Sequence, residues 1–291
     1  MTQISPTVSE IPVGDRTANP GLLSAEFRQE TLALTKRLFI QLKRRPTTLI
    51  AGILQPLMWL LLFGALFRYA PEGFFGEGQT YIKFLAAGII VFTAFGSALN
   101  SGLPILFDRE FGFLNRMLVA PLVSRFSIVL ASAIFIIATS AVQTVAIIAV
   151  SYLMGAGLPN LAGLGLVTLA ISLLVIGFTM LSLGLAFAMP GHQELLAFIF
   201  LVNLPLIFSS TALAPLAFMP TWLQWIASLN PLSFAIEPIR YVYSHNDWSW
   251  QSAILVAPWG DMTMLGALAA LAAFAVAVGI AIRGVLRRGI A

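Results

Sequence analysis

The chain alternates between long stretches without any charged residue and short stretches that carry almost all of its charges. Five stretches contain no Asp, Glu, Lys or Arg: residues 49–67, 84–107, 126–193, 195–236 and 262–282. A helix needs about 20 mostly apolar residues to cross the hydrocarbon core of a bilayer. In lipid, every backbone polar group must also be satisfied within the segment or by its neighbours. The pattern therefore predicts an all-α polytopic membrane protein.

Six transmembrane helices fit these stretches. The stretch 126–193 is too long for one helix, and it breaks at Gly155–Asn160, which divides it into two spans. As a single helix, the stretch 195–236 would be about 60 Å long, twice the hydrocarbon thickness. Proline breaks or kinks helices, and this stretch contains four: Pro205, Pro215, Pro220 and Pro231.

We therefore divide this last stretch into a fifth span and a re-entrant hairpin of short helices over residues 214–239, which enters the membrane from outside without crossing it. Irregular backbone at this depth is tolerated where protein or a wet cavity covers it. The predicted spans are about 49–69, 82–107, 124–153, 161–189, 195–213 and 262–284.

Composition and charge support this arrangement. Hydrophobic residues make up 59% of the chain and the mean hydropathy is +0.92, whereas soluble domains are about half apolar. If both termini are cytoplasmic, thirteen of the sixteen basic residues lie inside and only Arg68, Lys83 and Arg240 lie outside. This N-in/C-in orientation follows the positive-inside rule. We therefore attribute the basic balance to membrane sidedness and expect no nucleic-acid partner. The expected location is the plasma (inner) membrane, with an internal membrane as the alternative.

Two segments precede the first span. Residues 1–21 lack an apolar core and are expected to form a disordered cytoplasmic tail. Residues 22–46 are predicted to form an amphipathic interfacial helix, because apolar positions from Leu23 to Leu42 recur on one arc of the wheel. The alternative is a basic tail that only sets topology. The candidate basic residues of this segment are Lys36, Arg37, Lys43, Arg44 and Arg45.

The connection after the second predicted span, FDREFGFLNRMLVAPL, holds four charges in a chain that is only 10% charged. Phe107, Phe111, Leu114 and Leu118 recur at helical spacing, which predicts a short helix with one apolar ridge over residues 108–121. A cytoplasmic helix of this kind could dock into a groove on a soluble partner. The residues alone favour docking and an ordinary interfacial loop helix equally.

Four features in order resemble a known family: the basic amphipathic helix, QPLMWLLLFGALF (residues 55–67), the FDREFGFLNRMLVAPL connection and LNPLSFAIEPIRYV (residues 229–242). Together they resemble the ABC-type-2 exporter permeases, in particular the daunorubicin-resistance-like branch. The resemblance covers roughly residues 22–288. No single motif among them is as diagnostic as a metal-ligand set, but the order and spacing of the four are fairly specific.

The resemblance implies a six-helix permease domain over residues 47–288 that pairs with a second permease copy, expected as a homodimer, and with two ABC ATPase subunits. It makes residues 108–121 the coupling helix that sits in an ATPase cleft, and residues 22–46 the interfacial helix. It makes residues 214–239 the re-entrant hairpin, with Pro231, Glu237 and Arg240 as its candidate residues. The candidate coupling residues are Asp108, Arg109, Glu110, Phe111, Phe113, Leu114, Arg116 and Met117.

The chain contains no GxxxxGK[ST] phosphate loop. ATP and Mg²⁺ are therefore expected on the partner ATPase, and we assign no cofactor, metal ligand or catalytic residue to this chain. With so few charges in the spans, the expected cargo is hydrophobic or amphipathic: a drug-like molecule, a lipid or a lipid-linked compound. The alternatives are a secondary carrier or channel without an ATPase, and a membrane-embedded lipid-modifying enzyme.

Polar residues within the predicted spans are the remaining candidates. Ionisable residues at membrane depth usually mark function, and here Glu237 and Arg240 lie three residues apart on one helix face. We expect them to pair and to fix the outer end of the re-entrant hairpin, with substrate contact as the alternative. Five uncharged polar residues could bond a neighbouring helix or line a path: Gln55, Asn100, Gln143, Thr144 and Asn203.

Overall fold

The computed structural model describes residues 25–69, 80–112 and 125–288, and five segments in this part are long and apolar enough to cross a membrane. We label their helices α2 (Pro46–Leu66), α3 (Tyr81–Leu99), α5 (Arg125–Leu153), α6 (Leu161–Ala188) and α10 (Met264–Arg288). The fifth predicted span corresponds to α7 (His192–Phe208). It has 17 residues and is therefore about 25 Å long, less than the hydrocarbon thickness. The structure thus supports a polytopic helical membrane protein with five candidate spans.

Shorter elements surround these spans. The amphipathic helix α1 covers Ala25–Arg44, and α4 covers Leu103–Glu110. After α7 come a single 3₁₀ turn and two helices, α8 and α9. Their bounds are Leu216–Phe218 for the turn, Thr221–Ser228 for α8 and Pro231–Ser244 for α9.

The region predicted as the external hairpin therefore extends beyond residue 239. Helix α9 continues to Ser244, which places Glu237 and Arg240 in the middle of the helix rather than at its end. Because Pro231 occupies the first turn of α9, where its missing N–H costs no hydrogen bond, it begins the helix instead of breaking one.

The fold is mostly helical, as predicted, but a small β-hairpin that the sequence analysis did not predict precedes the last span. Strand β1 (Ala253–Ala257) pairs antiparallel with β2 (Gly260–Thr263), from Ala253 opposite Thr263 to Ala257 opposite Gly260. Gly260 has φ +130°, a conformation that other residues rarely adopt. Residues predicted as the start of the last span thus belong to β2, and α10 begins at Met264.

Helix α3 lies at the centre of the fold, and most of its residues are buried between α2, α5, α6 and α9. Phe95 packs edge-on against Phe178 of α6, with ring centroids 4.7 Å apart. Gly88 lets the chain at Ala212 approach closely: a Cβ at Gly88 would lie 2.4 Å from the Ala212 carbonyl oxygen. Close backbone approach at small residues is a common way to pack helices in membranes.

The second predicted span is not one continuous helix. It stops at Leu99, turns at residues 100–102 and resumes as α4. Ser182 of α6 forms hydrogen bonds with the backbone groups at this break. Its hydroxyl accepts from the Gly102 N–H at 2.9 Å and donates to the Leu99 carbonyl at 2.6 Å. After this turn, the charged end of α4 contacts the end of α6 and the start of α7.

Candidate functional site

The charged residues at the end of α4 bind other parts of the same chain. The Arg37 guanidinium of α1 donates to the Asp108 carboxylate at 2.8 Å, and both side chains are about 30% exposed, at 30% and 27%. The sequence analysis named both residues as candidates but did not predict that they pair. The ion pair joins the amphipathic helix to the connection that follows α3.

Arg109 holds the end of α6. Its guanidinium donates to the carbonyl oxygens of Ala186, Met189 and Pro190 at 3.3, 2.5 and 2.6 Å. The last carbonyls of a helix lack partners within the helix and carry its negative partial charge. A guanidinium at this position therefore satisfies them and stabilises the turn between α6 and α7.

Glu110 holds the start of α7. Its carboxylate accepts from the His192 backbone N–H at 2.7 Å and lies 2.6 Å from His192 Nδ1. The backbone hydrogen bond from His192, followed by the side-chain contact and the nearby Arg109 charge, lowers the pKa of Glu110 below its ordinary 4.5. A negative charge at a helix N-terminus is favourable. We name Arg37, Asp108, Arg109, Glu110 and His192 the charged junction.

The predicted coupling helix needs a correction. The helix that contains Asp108 begins at Leu103 rather than at 108, and it ends at Glu110 because Gly112 has φ +72°. The predicted ridge is therefore interrupted after Phe111 in the described residues. Phe111 is 82% exposed, and Phe107 stacks between it and His192, with ring centroids 6.3 and 5.0 Å away. Four predicted coupling residues lie outside the described residues: Phe113, Leu114, Arg116 and Met117.

The other candidate basic residues of the amphipathic segment remain exposed: Lys36, Lys43, Arg44 and Arg45. Arg45 follows α1 and precedes Pro46, so that α2 begins almost directly where α1 ends. Phe27, Thr31 and Thr35 form the buried face of α1. Helix α1 packs against α5 along this face, so it is held by protein as well as by its amphipathic character.

Glu237 and Arg240 of α9 form a buried ion pair, with 5% and 6% of each residue exposed. Arg240 also donates to the Thr211 carbonyl at 2.6 Å, and its guanidinium carbon lies 3.7 Å above the Phe84 ring. The pair thus connects α9, the chain after α7 and α3. These contacts occupy most of the guanidinium and favour a structural role over contact with a substrate.

A polar cavity brings together residues that the sequence analysis could name only as separate candidates. The cavity, of about 360 Å³, lies between α2, α3, α5 and α7. Four of the five polar span residues line it, namely Gln55, Asn100, Gln143 and Asn203, whereas Thr144 does not. The Asn203 side-chain oxygen is buried and accepts no hydrogen bond within the described chain. No charged residue lines the cavity.

Comparison with known proteins decides the family. The ABC-2 type transporter pattern matches residues 29–243, which is most of the chain. The chain belongs to the ABC-2 type transporter family. It is 53% identical over 260 residues to a protein of Porphyra purpurea named transport permease ycf38, and the match covers 89% of each chain. The permease of the same name from Cyanophora paradoxa is 53% identical over 228 residues, which cover 78% of this chain and 79% of the relative.

The resemblance predicted from the sequence is therefore confirmed. The ABC-2 chain is also 26% identical over 278 residues to the daunorubicin resistance ABC transporter permease protein DrrB1 of Streptomyces coeruleorubidus, covering 87% of this chain and 89% of that one. Family and relatives identify it as a multi-pass membrane subunit of an ABC transporter, a transport protein rather than an enzyme. Membership of the ABC-2 family implies association with an ABC ATPase.

Proposed function

We propose that this permease moves a hydrophobic or amphipathic substrate out of the cytoplasm or the inner leaflet, and that two ATPase subunits supply the energy. The proposal includes a plasma-membrane location and an N-in/C-in topology of six crossings, with α7 as the fifth. The charged junction is the observation that carries it. It links α4, the segment expected to contact the ATPase, to helices α1, α6 and α7.

The junction connects α4 to three other helices through bonds of known geometry. Asp108 reaches α1 through Arg37, and Arg109 and Glu110 reach the facing ends of α6 and α7. A displacement of α4 would therefore act on all three helices. Charge-assisted hydrogen bonds are about twice as strong as neutral ones, which suits a contact that has to transmit movement.

Within residues 107–112, the charged side chains and the aromatic rings have different roles. The three charged side chains are engaged within the chain, whereas the Phe111 ring is 82% exposed and Phe107 is 37% exposed. An apolar ring on an otherwise charged surface is a suitable anchor for a partner's pocket. We assign the ATPase contact in the described part of the connection to Phe111.

The polar cavity is the candidate path for the substrate. Its walls combine amides and hydroxyls with apolar side chains such as Phe92 and Phe135. Such a lining suits a molecule with uncharged polar groups and an apolar body. Gln55 also borders a shallow groove on the outer face of α2, beside Leu54 and Met58.

A second copy of the chain would complete this path. Only 17% of the apolar span of α2 is buried, and its outward side chains include Leu54, Met58 and Leu62. Helix α7, across the cavity, likewise exposes Phe200 and Leu204. We propose that the two copies meet along α2 and α7, so that their polar cavities face each other.

Replacing Phe111 with Asp tests the ATPase contact. Full-length permease and its ATPase are co-expressed, and the amount of ATPase that co-purifies with the permease is measured. We expect Phe111→Asp to reduce co-purification at least tenfold, because a charge replaces an anchor ring. Tyr69→Asp is the matched control, since Tyr69 is 90% exposed and follows the opposite end of α2. Unchanged co-purification of Phe111→Asp, or transport by the permease without any ATPase, would contradict the proposal.

A further inference from the structure

A groove with a basic rim lies beneath the C-terminal half of α1. It has a volume of about 520 Å³ and is enclosed by the end of α1, the start of α2, α4 and α5. Its apolar walls include Leu38, Leu42, Phe107 and Phe135, and Arg44 and Arg45 stand at its rim. The groove shares Phe107 and Asp108 with the coupling segment, whereas Arg44 and Arg45 take no part in the charged junction.

The rim carries positive charge that no described residue neutralises. Within the described part of the chain, the side chains of Arg44 and Arg45 form no ion pair or hydrogen bond, and both residues are exposed. Asp108 also borders the groove, but its carboxylate is bonded to Arg37. The groove therefore presents two free guanidinium groups to an occupant.

A second, mainly apolar cavity adjoins the groove. It has a volume of about 100 Å³, shares Leu38, Pro104 and Phe135 with the groove, and lies between α1 and α5 beside Ile128 and Ile136. The Arg37–Asp108 ion pair also lines this cavity. An occupant with a charged head at the rim could thus place an alkyl chain between the two helices. A soluble anion would leave this part of the groove unused.

We propose that the groove binds one anionic phospholipid from the surrounding membrane. Its phosphate accepts hydrogen bonds from the Arg44 and Arg45 guanidinium groups, which are well suited to phosphate oxygens. One acyl chain lies against Leu38, Leu42 and Phe135. The proposal requires only that the chain lies in a membrane, so it holds or fails independently of ATP-driven export.

Lys43 provides an internal comparison. Like Arg44 and Arg45 it is exposed and positively charged, but it does not border the groove. General attraction between a basic helix and an anionic leaflet would treat the three residues alike. A lipid that binds in the groove would instead contact Arg44 and Arg45 and not Lys43.

Native mass spectrometry tests this site on the full-length protein in detergent, titrated with phosphatidylglycerol or with phosphatidylcholine. We expect the wild type to retain one phosphatidylglycerol molecule in preference to phosphatidylcholine. The double variant Arg44→Gln/Arg45→Gln should bind phosphatidylglycerol at least about tenfold more weakly, because it loses the charge-assisted hydrogen bonds from both guanidinium groups to the phosphate. Lys43→Gln should change binding less than about twofold, because its charge lies outside the groove.

Leu38→Trp tests the acyl part of the site with every charge in place. The larger ring fills the junction between the two cavities, so we expect weaker retention of phosphatidylglycerol. Thermal unfolding without added lipid identifies any variant that has lost its fold. If Leu38→Trp does not fold, the single variants Arg44→Gln and Arg45→Gln, which change exposed residues, still test the site.

Equal losses of binding in the three single Gln variants would overturn the proposal in favour of general surface attraction. Unchanged binding in the double variant or in a folded Leu38→Trp would also overturn it.

Discussion

At the scale of single residues, Arg109 and Glu110 act as opposite caps on two consecutive helices. Arg109 satisfies carbonyls at the C-terminal end of α6, and Glu110 satisfies an N–H at the N-terminal start of α7. Each charge has the sign that complements the helix dipole it meets. Two adjacent residues of α4 can do this because α6 and α7 are separated only by residues 189–191. Gly191 leaves room, since a Cβ there would lie 3.1 Å from the Glu110 carboxylate.

The lowered pKa of Glu110 leads to a pH prediction. Because its folded-state pKa lies below the ordinary 4.5, the ionised carboxylate stabilises the folded chain above that value. The contribution is lost as the pH falls through the lowered pKa. We therefore expect Glu110→Gln to unfold at a lower temperature than the wild type at neutral and mildly acidic pH. The two melting temperatures should converge only below pH 4.5.

Thermal unfolding in detergent across a pH series measures this difference. Asp247→Asn is the matched control, because Asp247 is an exposed carboxylate that follows α9 and lies at no helix N-terminus. It should follow the wild type throughout the series. A Glu110→Gln difference that disappears already at mildly acidic pH would show that His192 and Arg109 do not favour the ionised carboxylate.

At the scale of elements, helix α3 packs closely against the backbone after α7 at Gly88 and leaves open space beside Gly96. Gly88 meets the backbone at Ala212, whereas a Cβ at Gly96, two turns further along, would contact nothing within 4 Å. Arg240 of α9 reinforces the first contact by donating to the neighbouring Thr211 carbonyl. The segment after α7 is therefore held between α3 and α9.

The two glycines form a matched pair of substitutions on one helix. Gly88→Ala places a methyl group where backbone stands, and such overpacking costs about 1–3 kcal/mol. Gly96→Ala adds the same methyl group beside the polar cavity and should leave stability unchanged or raise it by up to about 1 kcal/mol. Thermal unfolding of the two variants in detergent compares them directly. Equal melting temperatures would contradict the close approach of α3 to Ala212.

The sequence predicted those elements that a local pattern determines. It did not predict those elements whose position depends on contacts with distant parts of the chain. Runs without charge located the spans because a bilayer excludes unpaired charges from any chain that crosses it. The turn at residues 100–102 was missed because Ser182, from another helix, satisfies the freed backbone groups. The hairpin over residues 253–263 was missed because both strands are short and β2 runs directly into α10, so that its last two residues were counted with the span.

At the scale of the whole molecule, chemistry that is scattered along the chain is gathered into two places. The charged junction joins residues 37, 108–110 and 192, and the polar cavity joins Gln55, Asn100, Gln143 and Asn203. The sequence singled out almost all of these residues by type. It could not pair them, because 71–82 residues separate the partners within the junction. Only the tertiary fold brings them together.

The orientation of the molecule and the crossing by α7 are open to a direct test, because the chain contains no cysteine. Single cysteines at exposed positions can therefore be introduced without a background reaction. Gln29 in α1, Glu194 at the start of α7 and Asp247 after α9 are all exposed. With N-in/C-in topology and α7 as a crossing, Gln29→Cys and Glu194→Cys face the cytoplasm, and Asp247→Cys faces outside.

A thiol reagent that does not cross membranes, applied to intact cells, should therefore label Asp247→Cys alone. After the cells are opened, all three cysteines should react, and this step shows that each thiol is accessible. Labelling of both Glu194→Cys and Asp247→Cys in intact cells, or of neither, would place the two ends of the α7–α9 region on one side. Helix α7 would then be a re-entrant segment. Since α10 crosses once more, the two chain ends would lie on opposite sides, and the six-crossing proposal would be wrong.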